Sequence, residues 1–283
     1  MAPWLFLSPA LLGFLVFHAV PAVRALGISF TDWNLLSEPG WVGLANYRAL
    51  WEDDQFWRGL RLSGLYALLN IPLQTVLGLG LAVAMDRLTR ALWVRTVVLM
   101  PYLLSNVLVA LVWLWMLDPA MGMVNQLLSA VGVGRQAFFG SPDQALITAA
   151  LVNTWRHMGL VALLFLAGLQ AIPRDLYSAA AIDGASEWQM FRRITLPLLR
   201  PVLVFVLVTS VTGSFQVFDT IAVTTNGGPM DSTRVVVLVI VQNAFSYYKM
   251  GYASAMAMVL TLLMLGYTLM QMRLLRAGHS DLA

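Results

Sequence analysis

Residues 171–201 read AIPRDLYSAAAIDGASEWQMFRRITLPLLRP, a polar and structured insert between two long apolar runs. Pro173 suits the start of a helix, where a missing N–H removes no bond, and Arg174 to Ile182 supply two turns of good helix formers. Asp183-Gly184 predicts the stop, because glycine takes the left-handed geometry of a helix end without a steric penalty. Ser186 followed by Gln189 has the spacing of a capping box, so a second helix starts there, placing Trp188, Phe191 and Ile194 at helical spacing until Pro197 ends it. The expectation is helix, tight turn, helix. Ser178, Ala179, Ala180 and Gly184 leave the first helix and its turn nearly bare, so a partner surface can approach the backbone, with Trp188 and Phe191 as anchors.

The chain on either side sets the class. Of 283 residues, 59% are hydrophobic and 11% charged, with a mean hydropathy of +0.76, which excludes a soluble core and fits a helical protein with several membrane spans. The formal charge of +3 does not indicate a nucleic-acid partner, because the arginines are scattered at the ends of apolar runs. There is no cysteine, hence no thiol or disulfide chemistry. Met1-Ala2-Pro3 enters the first apolar run without a basic segment, so that run is expected to be a retained span.

A bilayer core of roughly 30 Å needs about 20 apolar residues of helix. Six stretches satisfy this: Trp4–Leu26, Leu62–Met85, Trp93–Leu117, Ala145–Gln170, Val202–Val223 and Tyr252–Leu274. With both termini inside, the inner segments hold Arg87, Arg90, Arg95, Arg174, Arg192, Arg193, Arg200, Arg273 and Arg276, against Arg48, Arg58, Arg61, Arg135, Arg234 and Lys249 outside. This modest bias follows the positive-inside rule and favours a cytoplasmic 171–201 loop, an orientation that rests partly on the resemblance described below.

Several stretches carry polar chemistry. The loop from Ser29 to Arg61 is rich in tryptophan and acids, which suits an interfacial belt, a partner contact, or both. Pro101 predicts a kink in the third span, and LDPAMGMVNQLLSAVG after it predicts a short interfacial helix. In the fourth span Asn153, Trp155 and Arg156 interrupt an apolar run; Arg156 either faces a cavity or partner charge, or binds exposed carbonyls. In the fifth, Thr209, Thr212, Gln216 and Asp219 recur at steps of three and four, a polar stripe that lines a solute path or bonds to neighbouring helices. Gly227-Gly228-Pro229 then marks a turn, and the apolar run Val235–Val241 is too short to span and is expected to dip into or lie along the outer face.

Ser178-Ala179-Ala180, Asp183-Gly184-Ala185 and Ile194-Thr195-Leu196-Pro197 together resemble the cytoplasmic EAA loop of the inner-membrane permeases of binding-protein-dependent ABC importers. Ser178 stands where that loop usually has glutamate. SFTDWNLL, VGLANYRAL and FWRGL in the first loop, with FQVFD and TTNGGPMDSTR later, are similar to the carbohydrate-type members. The resemblance implies an all-α membrane protein, type I importer-like, with six transmembrane helices in one domain and cytoplasmic coupling helices. It assigns ATPase coupling to Ser178, Ala179, Ala180, Asp183, Gly184, Ala185, Trp188, Phe191 and Pro197. It further implies a second similar permease, two ATPase subunits that bind ATP and magnesium, and an extracytoplasmic solute-binding protein.

Absences separate the function classes. The only lysine, Lys249, precedes Met250, so there is no GxxxxGK phosphate loop, and any ATP must be hydrolysed by a partner. His18, His157 and His279 form no HExxH, no GxSxG is present, and no metal site or catalytic residue is expected. An ion-coupled secondary transporter would also place Arg156 and Asp219 inside spans, yet it does not account for the structured loop. The expected activity is import of a sugar or oligosaccharide, with glycerol-3-phosphate as the alternative should Arg156 meet an anionic group.

Overall fold

The computed structural model describes residues 2–88 and 91–274, with side chains from residue 6 to 273. The expectations placed on Thr89, Arg90, Arg276 and His279 therefore lie outside the described residues. The described chain is almost wholly helical, with one isolated antiparallel bridge between Thr31 and Trp41. Helices α1 (Ala2–Phe14) and α2 (Val20–Ile28) join through a π turn, followed by α3 (Ala45–Trp51), α4 (Asp54–Leu88), α5 (Leu92–Leu103) and α6 (Asn106–Met116). Next come α7 (Met123–Ala130), α8 (Pro142–Ala171), α9 (Arg174–Ile182), α10 (Glu187–Met190), α11 (Leu196–Leu198), α12 (Arg200–Phe215), α13 (Asp219–Thr224), α14 (Val236–Val241) and α15 (Met250–Leu274).

Five helical stretches are long and apolar enough to cross a membrane: Phe6–Ile28, Asp54–Leu88, Pro142–Ala171, Arg200–Thr224 and Met250–Arg273. A sixth crossing requires α5 and α6 together, and these meet at 91°. The proline kink expected at Pro101 is thus displaced and enlarged into a break. Pro101 sits inside α5, whereas Leu104 and Ser105 take extended backbone angles. A proline removes only its own N–H from the ladder; the break falls where side chains of α8 reach the end of α5. At 35 residues α4 is roughly 52 Å long, well beyond a bilayer core, and begins in what the sequence suggested was still loop.

The chain forms two compact units. The first holds residues 1–60 and 236–266. There Asp53 accepts the N–H groups of Gln55 and Phe56 at the start of α4, and Tyr252 donates to its other oxygen at 2.6 Å. Gly251 donates its N–H to the Trp33 carbonyl at 3.0 Å, so the start of α15 is held against the loop after α2. Trp41 and Trp51 of that loop remain largely exposed. Val236, Leu238 and Val239 of α14 are buried in the protein, and the helix is too short to span, as expected of this run.

The second unit, residues 61–235 and 267–283, carries the functional features. Its core packs Ala82 and Met85 of α4 against Val161, Ala162, Phe165 and Leu166 of α8 and Val206 of α12. Gly159 of α8 lies so close to α5 that a Cβ there would meet the Val98 carbonyl oxygen, which explains a glycine in mid-helix despite its low propensity.

Candidate functional site

Two sites emerge in the second unit, and each is built largely by local chemistry. The first is the loop at 171–201. Helix α9 ends in a Schellman motif: Gly184 sits at φ +76°, its N–H bonds the Ala181 carbonyl at 3.1 Å, and the Ala185 N–H bonds the Ala180 carbonyl at 2.9 Å. Ser186 Oγ accepts the Gln189 N–H while Gln189 Oε1 accepts the Ser186 N–H at 2.7 Å, completing the capping box. The two limbs are tied by Tyr177 Oη to Thr195 Oγ1 at 2.9 Å, and the loop is tied to the end of α4 by the Arg87–Glu187 ion pair.

Ser178, Ala179, Asp183, Gly184 and Pro197 are exposed, and Ala180 and Ala185 are half-buried. Trp188 stacks on Phe191 at 5.6 Å and is still 68% exposed, and Ile182 is 87% exposed, so large apolar surface faces away from the protein. One local expectation needs correction. Pro197 does not end the second helix: a π turn at Phe191–Thr195 shifts the ladder, Leu196 bonding back to Phe191, so the residue without an N–H is absorbed and the helix runs on through α11. The Asp183 carboxylate makes no hydrogen bond among the described residues; backbone groups alone close its turn.

The second site is a cavity of about 370 Å³ among α4, α8, α12 and the break between α5 and α6. From α4, Gln74 Nε2 donates to Ser210 Oγ at 2.6 Å and Asn70 Nδ2 to Ser214 Oγ at 3.1 Å, while Asn70 Oδ1 accepts from Thr154 at 2.9 Å. Asn106, opening α6, donates to Asp219 Oδ2 at 2.9 Å. Gln74 is 3% exposed, yet its Oε1 has no partner.

The sequence-predicted residues divide. Asn153, Thr209, Gln216 and Asp219 line the cavity, whereas Thr212, Trp155 and Arg156 do not. Thr212 donates to Val208 of its own helix, and Trp155 packs edge-on against Trp113 at 5.4 Å. The stripe from Thr209 to Asp219 is not one continuous face, because α12 ends at Phe215 and a new helix starts at Asp219. Arg156 binds backbone: its Nη2 donates to the carbonyls of Tyr102 at 3.1 Å and Leu104 at 2.9 Å, which are the carbonyls freed where α5 stops. Its Nη1 lies 3.2 Å from His157 Nε2, and a guanidinium only donates, so that nitrogen accepts and Nδ1 donates to the Asn153 carbonyl. Asn70, Gln74, Asn106, His157, Ser210 and Ser214 were not anticipated; the Asn70/Gln74 and Ser210/Ser214 pairs at i, i+4 in apolar spans were the available signal.

An exposed helix–turn–helix on an all-helical membrane bundle that encloses a polar cavity defines a transport subunit, and the comparisons agree. The chain belongs to the family of binding-protein-dependent transport system inner membrane components, matched over residues 74–277. The trehalose/maltose transport system permease protein MalF of Thermococcus litoralis is 34% identical over 275 residues, covering 95% of this chain and 92% of its own. The sn-glycerol-3-phosphate transport system permease protein UgpA of Yersinia enterocolitica is 32% identical over 276 residues, covering 96% and 92%. Among solved structures, a bacterial alginate ABC transporter in complex with alginate pentasaccharide-bound periplasmic protein contains a chain that superposes with a TM-score of 0.81 at 26% identity, over 98% of this chain and 95% of that one. The fold is that of an ABC importer permease.

Proposed function

We propose that the chain forms half of the pathway by which an ATP-driven importer carries a neutral sugar or oligosaccharide inward. The carrying observation is the lining of the cavity, which combines amides, hydroxyls and Asp219, while the nearby Arg156 guanidinium is held by carbonyls. A solute dense in hydroxyls donates and accepts in equal measure, which suits such a lining. A phosphate would favour a free guanidinium, so glycerol-3-phosphate is the weaker reading despite the UgpA relative. The relative named for trehalose/maltose supports the neutral sugar, and the structure named for alginate, an acidic polysaccharide, supports an oligosaccharide but not its neutrality.

In this reading an extracytoplasmic binding protein delivers the solute, and a second homologous permease completes the cavity. One of two ATPase subunits docks on the 171–201 loop at the cytoplasmic face, where both termini also lie, and the two ATPases alone bind ATP and magnesium. Closure of the ATPases pushes a loop whose Schellman turn and capping box keep it rigid. Through Tyr177–Thr195 and Arg87–Glu187 the push reaches the ends of α4, α8 and α12, and the bundle rocks between outward- and inward-facing states. The test is uptake by proteoliposomes holding the assembled transporter, offered neutral di- and trisaccharides and glycerol-3-phosphate. Gln74→Leu is expected to lower sugar uptake at least tenfold with assembly and basal ATP hydrolysis retained. Uptake of glycerol-3-phosphate alone, or sugar uptake untouched by Gln74→Leu, would overturn the assignment.

A further inference from the structure

A larger cavity, of about 530 Å³, lies in the second unit at the other end of α8 from its first turn and takes no part in the pathway described above. Its wall combines the last turn of α4 (Asp86, Arg87), the first turn of α5 (Arg95), Gln170 near the end of α8 and the first turn of α9 (Arg174, Tyr177). Three arginines and one aspartate thus line it. Arg87 is satisfied by Glu187, and both are more than half exposed. Arg95 and Arg174 have no ion pair among the described residues, and Arg95 Nε is buried without a hydrogen-bond partner. The planar fork of arginine is matched to tetrahedral oxyanions, so Arg95 and Arg174, which line the cavity without an ion pair, offer it donors suited to an acceptor-rich anion. The wall is made of span ends, the level at which lipid phosphates sit and where basic pockets between helices hold headgroups.

We propose that this cavity binds a phosphate oxyanion through Arg95 and Arg174, supplied by an anionic phospholipid headgroup or by a soluble phosphate. The site is independent of the solute pathway, so it stands or falls separately from the sugar assignment. The assembled transporter in detergent is titrated with short-chain phosphatidylglycerol, with short-chain phosphatidylcholine and, by equilibrium dialysis, with labelled inorganic phosphate. Phosphatidylglycerol or inorganic phosphate is expected to bind with an apparent Kd that Arg95→Gln and Arg174→Gln each raise tenfold or more, while Arg135→Gln on a remote exposed loop changes nothing. Arg174 is exposed, so its variant retains the fold even where Arg95→Gln impairs insertion. Dependence confined to phosphatidylglycerol identifies the lipid as the source, and dependence confined to inorganic phosphate identifies the soluble ion. Binding that is unchanged in Arg174→Gln overturns the proposal. So does a variant that binds both anions normally but sheds its ATPase subunits, since the guanidinium groups then serve a protein contact.

Discussion

Arg156 resolves two difficulties with one side chain. A guanidinium inside a span costs about 2.5–3.5 kcal/mol on insertion scales, and a helix that stops within the apolar layer leaves carbonyls without partners. Here the difficulties offset each other, because the end of α5 presents the Tyr102 and Leu104 carbonyls to the Arg156 donors, and the guanidinium also lies 5.2 Å from the Tyr102 ring centroid. Arg156→Gln is therefore expected to destabilise the assembled complex by about 1–3 kcal/mol, the penalty of a lost charge-assisted bond and orphaned carbonyls. Thermal denaturation of the purified complex measures this. The fraction that still assembles should keep the wild-type preference among solutes. A fully stable variant that had lost uptake of an anionic solute would return Arg156 to the pathway.

At the scale of elements, the 171–201 loop, proposed to couple transport to ATP hydrolysis, depends on the backbone conformation of one residue. Gly184 holds φ +76°, where an added Cβ costs roughly 1–2 kcal/mol, although open space surrounds the position. Gly184→Ala should strain the turn without a clash, and Ala180→Trp should add bulk to the docking face without strain. Both are expected to leave insertion intact and to lower solute carried per ATP hydrolysed, Ala180→Trp the more severely. Ratios equal to wild type in both variants would remove the loop from coupling. This loop was legible because its determinants are neighbours in the chain: Pro173, the Asp183-Gly184 pair, and Ser186 with Gln189 each act within a few residues. The stop expected at Pro197 failed because a π turn is not written in any one residue type. The cavity was only half legible, since Thr209 follows helical periodicity but Gln216 and Asp219 sit beyond the end of α12. The break at Leu104–Ser105 has neither glycine nor proline at it, and its freed carbonyls are bound by Arg156, contributed by a segment 52 residues further along.

At the scale of the whole molecule, the broken helix decides the topology by parity. Between the first loop and the coupling loop the chain passes through α4, the bent pair α5 and α6, and α8. If the bent pair crosses, three crossings put the two loops on opposite faces of the membrane; if it enters and returns on one face, two crossings put them on the same face. A 91° bend alone is compatible with either geometry. The proposed function requires the first, because in it a binding protein and an ATPase act from opposite sides. The chain has no cysteine, so single thiols report without background. Leu36→Cys, at a position 80% exposed, is expected to react in intact cells with a membrane-impermeant maleimide. Ser178→Cys is expected to react only after the cells are opened, and to form a crosslink to the ATPase subunit in the assembled complex. Labelling of both from outside would make the bent pair a re-entrant segment and place the 171–201 loop where no ATPase can reach it. The coupling role, and with it the direction of transport, would then be lost together, whereas opposite labelling with the crosslink fixes the bent pair as the third span.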